Sequence, residues 1–165
     1  MERSEQEGNI QAVLEELQKA ARGEASSFPF LKHQIPAHSL VKPGDIFQVL
    51  VLGGTVTRTA LLRRDSDGIT FLARSETPQP PFYDENTFFQ FLRSKIVHDI
   101  PLISLNFAYP LSPIVRDNRL DGVLVSGMKE NTFNGLVGKP IGEMIEREFP
   151  SHKVVVANDT ICTLL

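Results

Sequence analysis

The feature that most restricts this chain is a set of three strand-like segments joined by two tight turns between Ile46 and Ala73. Ile46 to Leu52 is mostly β-branched or aliphatic and stops at Gly53-Gly54, where glycine permits backbone geometry that other residues resist. Thr57 to Arg64 reads as a second strand, Asp65-Ser66-Asp67-Gly68 supplies hairpin chemistry, and Ile69 to Ala73 returns as a third. Links this short leave no room for a crossover helix, so the three segments form an antiparallel meander.

The rest of the chain supplies helices and further strands around that meander. Thr77-Pro78-Gln79-Pro80-Pro81 reads as a loop, after which Asp84 can cap a helix carrying Phe88, Phe91, Leu92 and Lys95, with Phe89 and Ile96 on the neighbouring stripe. That wide apolar face should lie on the sheet. Pro101 introduces an apolar strand, Leu102 to Tyr109, ended by Pro110, and Gly122 to Ser126 is a shorter strand. Pro140 suits a first helical residue, with Ile141, Met144, Ile145 and Phe149 on one face and Pro150 as the stop. Lys153 to Ala157 is a buried-type strand that delivers Asn158-Asp159-Thr160 at its carboxyl end, the place where ligands gather in open α/β sheets.

Before the meander, Ile10, Val13, Leu14 and Leu17 recur at helical spacing, with Asn9 as a candidate cap, Lys19 and Arg22 in the last turn, and Gly23 beyond it. A short amphipathic helix is expected there. Ser26 to Pro43 holds Pro29, Pro36 and Pro43 without a clear period and reads as an irregular connector. The expected division is therefore residues 1–43, helix and connector, and residues 44–165, the folded lobe.

Composition excludes several functions. Of 165 residues, 17 are Lys or Arg and 20 are Asp or Glu, so no positive surplus is available to hold a phosphodiester backbone. Nucleic acid is not the expected partner. Apolar runs such as Val49 to Leu52 are far shorter than the roughly 20 residues that cross a bilayer, so no membrane association is expected. The start lacks the apolar core of a secretory signal, and the single Cys162 excludes an intramolecular disulfide, which fits a reducing cytoplasm. His33, His38, His98 and His152 stand at no zinc-ligand spacing, so any metal is expected to arrive with a ligand.

Four short segments can carry chemistry. Leu52-Gly53-Gly54-Thr55-Val56-Thr57-Arg58 could bring main-chain amides to phosphate oxygens, although Gly-Gly is also a common hairpin turn, and no Gly-Lys-Ser/Thr follows as in a Walker loop. In Asn158-Asp159-Thr160 the carboxylate could accept a proton from a substrate hydroxyl while the neighbouring amide orients the substrate; the alternative is that Asp159 caps the next helix. Lys129, in Ser126-Gly127-Met128-Lys129-Glu130, could bind a polyhydroxylated ligand or a phosphate, or simply face solvent. Phe107-Ala108-Tyr109-Pro110 could present main-chain groups at a chain reversal, its aromatic residues otherwise belonging to the core. No histidine lies beside a credible nucleophile.

The order of these segments resembles the amino-terminal lobe of the hexokinase family, within the actin-like ATPase superfamily. Beginning at the first helix, Ser26-Ser27 and Gly44-Asp45, the match continues through Leu52-Gly53-Gly54-Thr55 with Arg58, similar to Asp-Leu-Gly-Gly-Thr-Asn-Phe-Arg. Pro101-Leu102 and Phe107-Ala108-Tyr109-Pro110 resemble Leu-Pro-Leu and Phe-Ser-Phe-Pro. The Asp121 to Lys129 segment resembles one ending Asn-Trp-Thr-Lys, Gly138 to Glu146 stands where the following helix lies, and Val155 to Thr160 looks like the Val-Asn-Asp-Thr signature. The implied fold is an α/β, ribonuclease H-like lobe of actin/hexokinase type: a mixed sheet with an antiparallel three-strand meander and flanking helices.

The implied activity is phosphorylation of a hexose by MgATP. Asp159 would take the proton of the primary hydroxyl, Asn158 and Lys129 would hold other hydroxyls together with Ala108, Tyr109 and Met128, and Gly53, Gly54, Thr55 and Arg58 would face the phosphates. Four positions depart from the pattern: Val51 stands for an acidic residue that helps hold magnesium's shell, Val56 for Asn, Ala108 for a sugar-contacting Ser and Met128 for a sugar-contacting Thr. No metal ligand is assigned. The family's second phosphate loop and adenosine site lie downstream of the Asp159 motif, so the expectation is a first lobe that works with a carboxyl-terminal lobe or a partner subunit and turns over little alone. A kinase-like module that binds a sugar without catalysis is the alternative reading.

Overall fold

The computed structural model describes residues 2–22, 24–25 and 39–159. The chain forms two compact units, Met1–His33 and Gln34–Leu165. In the first, α1 spans Glu2–Arg22, so the helix begins well before Asn9, which lies inside it and is no start cap. Lys19 and Arg22 occupy its last turn, favourable at the negative end of the helix dipole. Ile10, Val13, Leu14 and Leu17 form its apolar stripe and are all exposed. Gly23, Ser26-Ser27, Pro29 and Pro36 lie outside the described residues.

In the second unit a turn at Lys42–Asp45, with Gly44 at φ 95°, leads into the sheet. β1 (Ile46–Leu52), β2 (Val56–Arg64) and β3 (Ile69–Pro78) form the expected meander. β3 runs through Thr77 and Pro78, so the Pro-rich loop starts only at Gln79; Leu72 is an extra residue in β3, at the register shift between Leu61 and Leu62. α2 (Glu85–Arg93) starts at a reciprocal cap: Asp84 accepts the Thr87 amide at 2.8 Å, and Thr87 Oγ1 accepts the Asp84 amide at 3.1 Å. The first of these bonds holds the Asp84 carboxyl below its usual pKa range.

β4 (Leu102–Phe107) pairs parallel to β1, and β7 (Lys153–Ala157) parallel to β4, so the five-stranded order is β3-β2-β1-β4-β7. Between β4 and β7 the chain makes a hairpin, β5 (Leu111–Arg116) and β6 (Arg119–Leu124), and then α3 (Ile141–Glu148). The strand expected at Gly122 to Ser126 is thus displaced towards the amino terminus and belongs to this separate two-stranded sheet. Asp117 and Asn118 form the hairpin turn at φ 48° and 58°, a geometry that Asp and Asn tolerate better than most residues. Pro140 is the cap residue of α3 rather than its first helical residue.

Alternation along the central strands divides the sheet into two faces. Leu50, Leu52, Ile103, Leu105, Phe107, Val154 and Val156 meet Phe88, Phe89 and Leu92 of α2 and Ile141, Met144 and Ile145 of α3 in one buried cluster. Five phenylalanine and tyrosine rings, Phe82, Phe88, Phe107, Tyr109 and Phe133, pack at its carboxyl-end rim with centroids 4.7–6.1 Å apart. The opposite face carries an in-register row across all five strands: Glu76, Arg58, Val51, Asn106 and Ala157.

The hairpin is fastened to α3 by charge. Asp121, 2% exposed, accepts the Gly142 amide at 2.7 Å and the Glu143 amide at 3.0 Å, capping α3 from a distant strand. Arg116 pairs with Asp121 at 3.1 Å and with Glu146 at 2.9 Å, and Arg119 also pairs with Glu146.

Candidate active site

Three neighbouring strands, β1, β4 and β7, point their carboxyl ends the same way, and each is followed by one of the sequence motifs. The Gly53-Gly54-Thr55 turn follows β1, Ala108-Tyr109-Pro110 follows β4, and Asn158-Asp159 follows β7. Parallel pairing brings these motifs together, because the ends of adjacent strands lie only about 4.8 Å apart.

Hydrogen bonds then lock the three ends. The Ala108 amide donates to Leu52 O at 3.0 Å, and Asn158 Nδ2 donates to the carbonyls of Phe107 and Tyr109, both at 3.2 Å. Tyr109 is 2% exposed, and its hydroxyl donates to Gly53 O at 3.0 Å. Gln79 reinforces this: Nε2 donates to Gly53 O at 2.8 Å and to the Tyr109 hydroxyl at 2.7 Å, while its amide donates to Thr55 O at 2.9 Å. Burial pushes the Tyr109 phenol above its ordinary pKa, partly opposed by the Gln79 bond, and Glu130 pushes it further up.

These contacts redistribute the expected roles. Gly53 has its amide engaged by Val56 O at 3.2 Å and its carbonyl held twice, so it is a structural point of the turn. Neither Gly53 nor Gly54 is among the glycines at positive φ, so the turn needs no left-handed backbone there. A Cβ on Gly54 would meet no atom within 4 Å; Gly54 and Thr55 are exposed, and among the described residues no protein acceptor takes their amides. Those two amides are the ones a phosphate could reach. Arg58 is exposed and pairs with Glu76 at 2.7 Å, so its charge is already partly matched. Tyr109 and Asn158 fasten the frame, and Ala108 brings only a methyl group and backbone. Asp159 is exposed, two residues beyond the end of β7.

Met128 and Lys129 come from a different direction. Val125 N donates to Pro110 O at 2.9 Å, which hangs the segment after β6 on the end of β4. Met128 and Asn131 exchange backbone hydrogen bonds of 3.0 Å around exposed Lys129 and Glu130, with Lys129 at φ 53°. Asn131 Oδ1 accepts the Phe82 amide at 2.9 Å, and Phe133 packs edge-to-face against Tyr109 with centroids 4.7 Å apart. The Lys129 segment therefore hangs from the same Tyr109 corner as the other motifs.

Two contributors have no assigned role in the sequence reading. Gln79 sits in a proline-rich stretch that reads only as a loop, and Asn106 interrupts an apolar strand; a lone amide in such surroundings is the signal each offers. Magnesium, which the resemblance brings with ATP, does not fit the donors present. Val51 has no oxygen, Arg58 is its neighbour in the row, and among the described residues no group of three or more His, Cys, Asp or Glu side chains converges. No helix among the described residues is long and apolar enough to cross a membrane.

The sequence matches no protein-family model and no curated protein. The fold does have neighbours: its mixed α/β architecture is similar to part of solved hexokinase and sugar-kinase structures. Hexokinase from Schistosoma mansoni complexed with glucose matches with TM-score 0.56 and 18% identity, over 76% of this chain and 32% of that one. The Lmo2764 protein of Listeria monocytogenes, a proposed N-acetylmannosamine kinase, matches with TM-score 0.50 and 15% identity, over 72% of this chain and 37% of that one. A ROK family glucokinase from Streptomyces griseus in complex with glucose and AMPPNP gives TM-score 0.47 and 18% identity, over 69% and 33%. The chain thus spans about a third of the length of the solved proteins it matches.

Proposed function

We propose that this chain is the first lobe of a hexokinase-like sugar kinase, with Asp159 as the base that takes the proton of a hexose primary hydroxyl as it attacks the γ-phosphorus of ATP. The observation that supports this most is the convergence of the Gly54-Thr55 amides and the exposed Asp159 carboxylate at the ends of strands fastened by Tyr109 and Asn158. A carboxylate at the same edge of the sheet as a turn with exposed amides suits phosphoryl transfer, where positioning and charge stabilisation do most of the catalysis. The glucose in the Schistosoma enzyme favours a hexose as substrate class. Lys129 and the main chain at Ala108 would hold the sugar, and Arg58 would hold a phosphate oxygen. The remaining adenosine and phosphate contacts would come from a second lobe or a partner subunit, and the cytoplasm would be the setting.

Hexose-dependent ADP formation by the protein containing this chain, compared with its Asp159→Asn variant, tests the reading. The expected result is a loss of at least roughly a hundredfold in kcat, the usual weight of a general base; equal rates in both proteins would discard it. A second reading, a sugar-binding module without catalysis, is favoured by Val51, Ala108 and Met128, which remove three polar contacts from the implied site. A melting temperature that rises with hexose in a protein without turnover would select it.

A further inference from the structure

β3 is the last strand on its side of the five-stranded sheet, and among the described residues no other strand pairs with its outer edge. All of its residues but Thr77 are exposed, including the large apolar Ile69, Phe71 and Leu72. A long edge with apolar side chains is a template for another strand unless its charges turn that strand away. Two features limit how much of this edge can pair. The extra Leu72 breaks the ladder on one side, and Pro78, with no N–H to donate, ends it on the other. Between them lies Ala73-Arg74-Ser75-Glu76-Thr77, whose midpoint is Ser75.

Across the same five residues the charges suit one partner. Arg74 and Glu76 lie two apart, so both face the open side of the sheet, in register with Ala60 and Arg58 of β2. Glu76 pairs with Arg58 at 2.7 Å, whereas Arg74, also exposed, takes part in no ion pair among the described residues. When a second β3 runs antiparallel with Ser75 opposite Ser75, Arg74 of each copy comes opposite Glu76 of the other. Every Glu76 then sits between two guanidiniums, Arg58 of its own chain and Arg74 of the second copy. On the reverse side Ser75 Oγ, 2.7 Å from Thr59 Oγ1, meets its own counterpart, and a hydroxyl that holds one hydrogen bond can hold another. Leu72 comes opposite Pro78 at each end. Sliding one strand by two residues in either direction destroys this match. Arg74 then meets Arg74, or Glu76 meets Glu76, and like charges directly opposite are destabilising.

We propose that this protein pairs with a second copy of itself along β3, as an antiparallel two-fold dimer centred on Ser75 that joins two five-stranded sheets into one. The edge charges have two tasks: they reject strands of other sequence and fix the register of this one. The inference does not depend on the sugar-kinase reading, since Asn158-Asp159 follows β7, at the far margin of the sheet. The contact is small, so a dissociation constant on the order of 100 μM is expected.

Sedimentation equilibrium of the protein from about 10 to about 1000 μM tests it, with two charge reversals, Arg74→Glu and Glu76→Arg. Both positions are exposed, and circular dichroism should show the parent fold in each variant. Each variant alone sets like charges opposite in both cross-strand pairs and is expected to dimerise at least roughly tenfold more weakly than the parent. Mixed in equal amounts, the two variants bring Glu opposite Arg at both pairs again, and the mixture is expected to associate within about fivefold of the parent. A parent that stays monomeric over the whole range would overturn the proposal. So would dimerisation that neither reversal weakens, which would place the contact elsewhere, or a mixture that stays as monomeric as each variant alone.

Discussion

The hydroxyl of Tyr109 donates to the carbonyl of Gly53 at 3.0 Å, joining the segment after β4 to the turn after β1 across 56 positions of sequence. With the Gln79 bonds to Gly53 and Thr55, it ties the Gly53-Gly54-Thr55 turn to the segment that follows β4. Tyr109→Phe keeps the ring against Phe133 and Phe107 but removes the bond to Gly53 and the acceptor for Gln79 Nε2. The expected cost is about 1–2 kcal/mol in denaturant unfolding. A larger proportional loss of nucleotide affinity than of hexose affinity is also expected, because the turn loosens while β4 and β7 stay tied through Asn158.

Gly142 lies within α3, where replacing Gly by Ala normally stabilises by about 1 kcal/mol. Here a Cβ would stand 2.8 Å from all three carboxylate atoms of Asp121. That carboxylate is held by two α3 amides, the Gly122 amide and Arg116, so it has nowhere to move. Gly142→Ala is therefore expected to lower the unfolding free energy by about 1–3 kcal/mol, and a rise in melting temperature would contradict the packing described.

Gly127→Ala meets backbone instead: Asn131 O at 2.2 Å and Thr132 Cα at 2.9 Å from the new carbon. The segment carrying Met128 and Lys129 must shift as a whole. Circular dichroism should report an intact fold, while any hexose binding that depends on Lys129 should fall at least roughly tenfold, a size typical of displaced polar contacts.

Glu146 is the fourth case. Burial pushes its carboxyl up, but the Val154 amide at 2.8 Å and the Arg116 and Arg119 guanidiniums outweigh this and hold it below its usual range. A depressed folded pKa means that the unfolded chain binds the proton first, so the stabilisation is complete above the unfolded value. It is lost as pH falls through the folded one. Urea unfolding of the parent should therefore weaken as pH drops below about 4.5. Glu146→Gln should start less stable at pH 7 and show a shallower acid slope.

The meander, its partner helices and the carboxyl-end placement of Asn158-Asp159 are legible in the sequence, because alternation, Asp84 capping and Gly or Asp-Gly turns are local signals. The β5-β6 hairpin is not: Ser112 and Pro113 break its alternation, and its pairing partner is defined only by the Asp117-Asn118 turn. Roles at the site divide in the same way. The role expected of Asp159 comes from a local motif, whereas the fastening tasks of Tyr109, Gln79 and Gly53 depend on contacts between residues 26 to 56 positions apart. No local pattern encodes them. Asp121 likewise reads as part of a strand, yet its carboxylate belongs to the start of a helix 21 residues later.

The two outer margins of the five-stranded sheet are finished differently. Along β7, Glu146 takes up the Val154 amide. Along β3, ten residues from Ile69 to Pro78 are exposed but for Thr77, interrupted only by the extra Leu72 and guarded by Arg74 and Glu76. The lamina therefore has a direction of growth. A strand grafted by a protein engineer, or donated by another polypeptide, would find its docking seam on the meander side, at the opposite margin of the sheet from Asn158-Asp159.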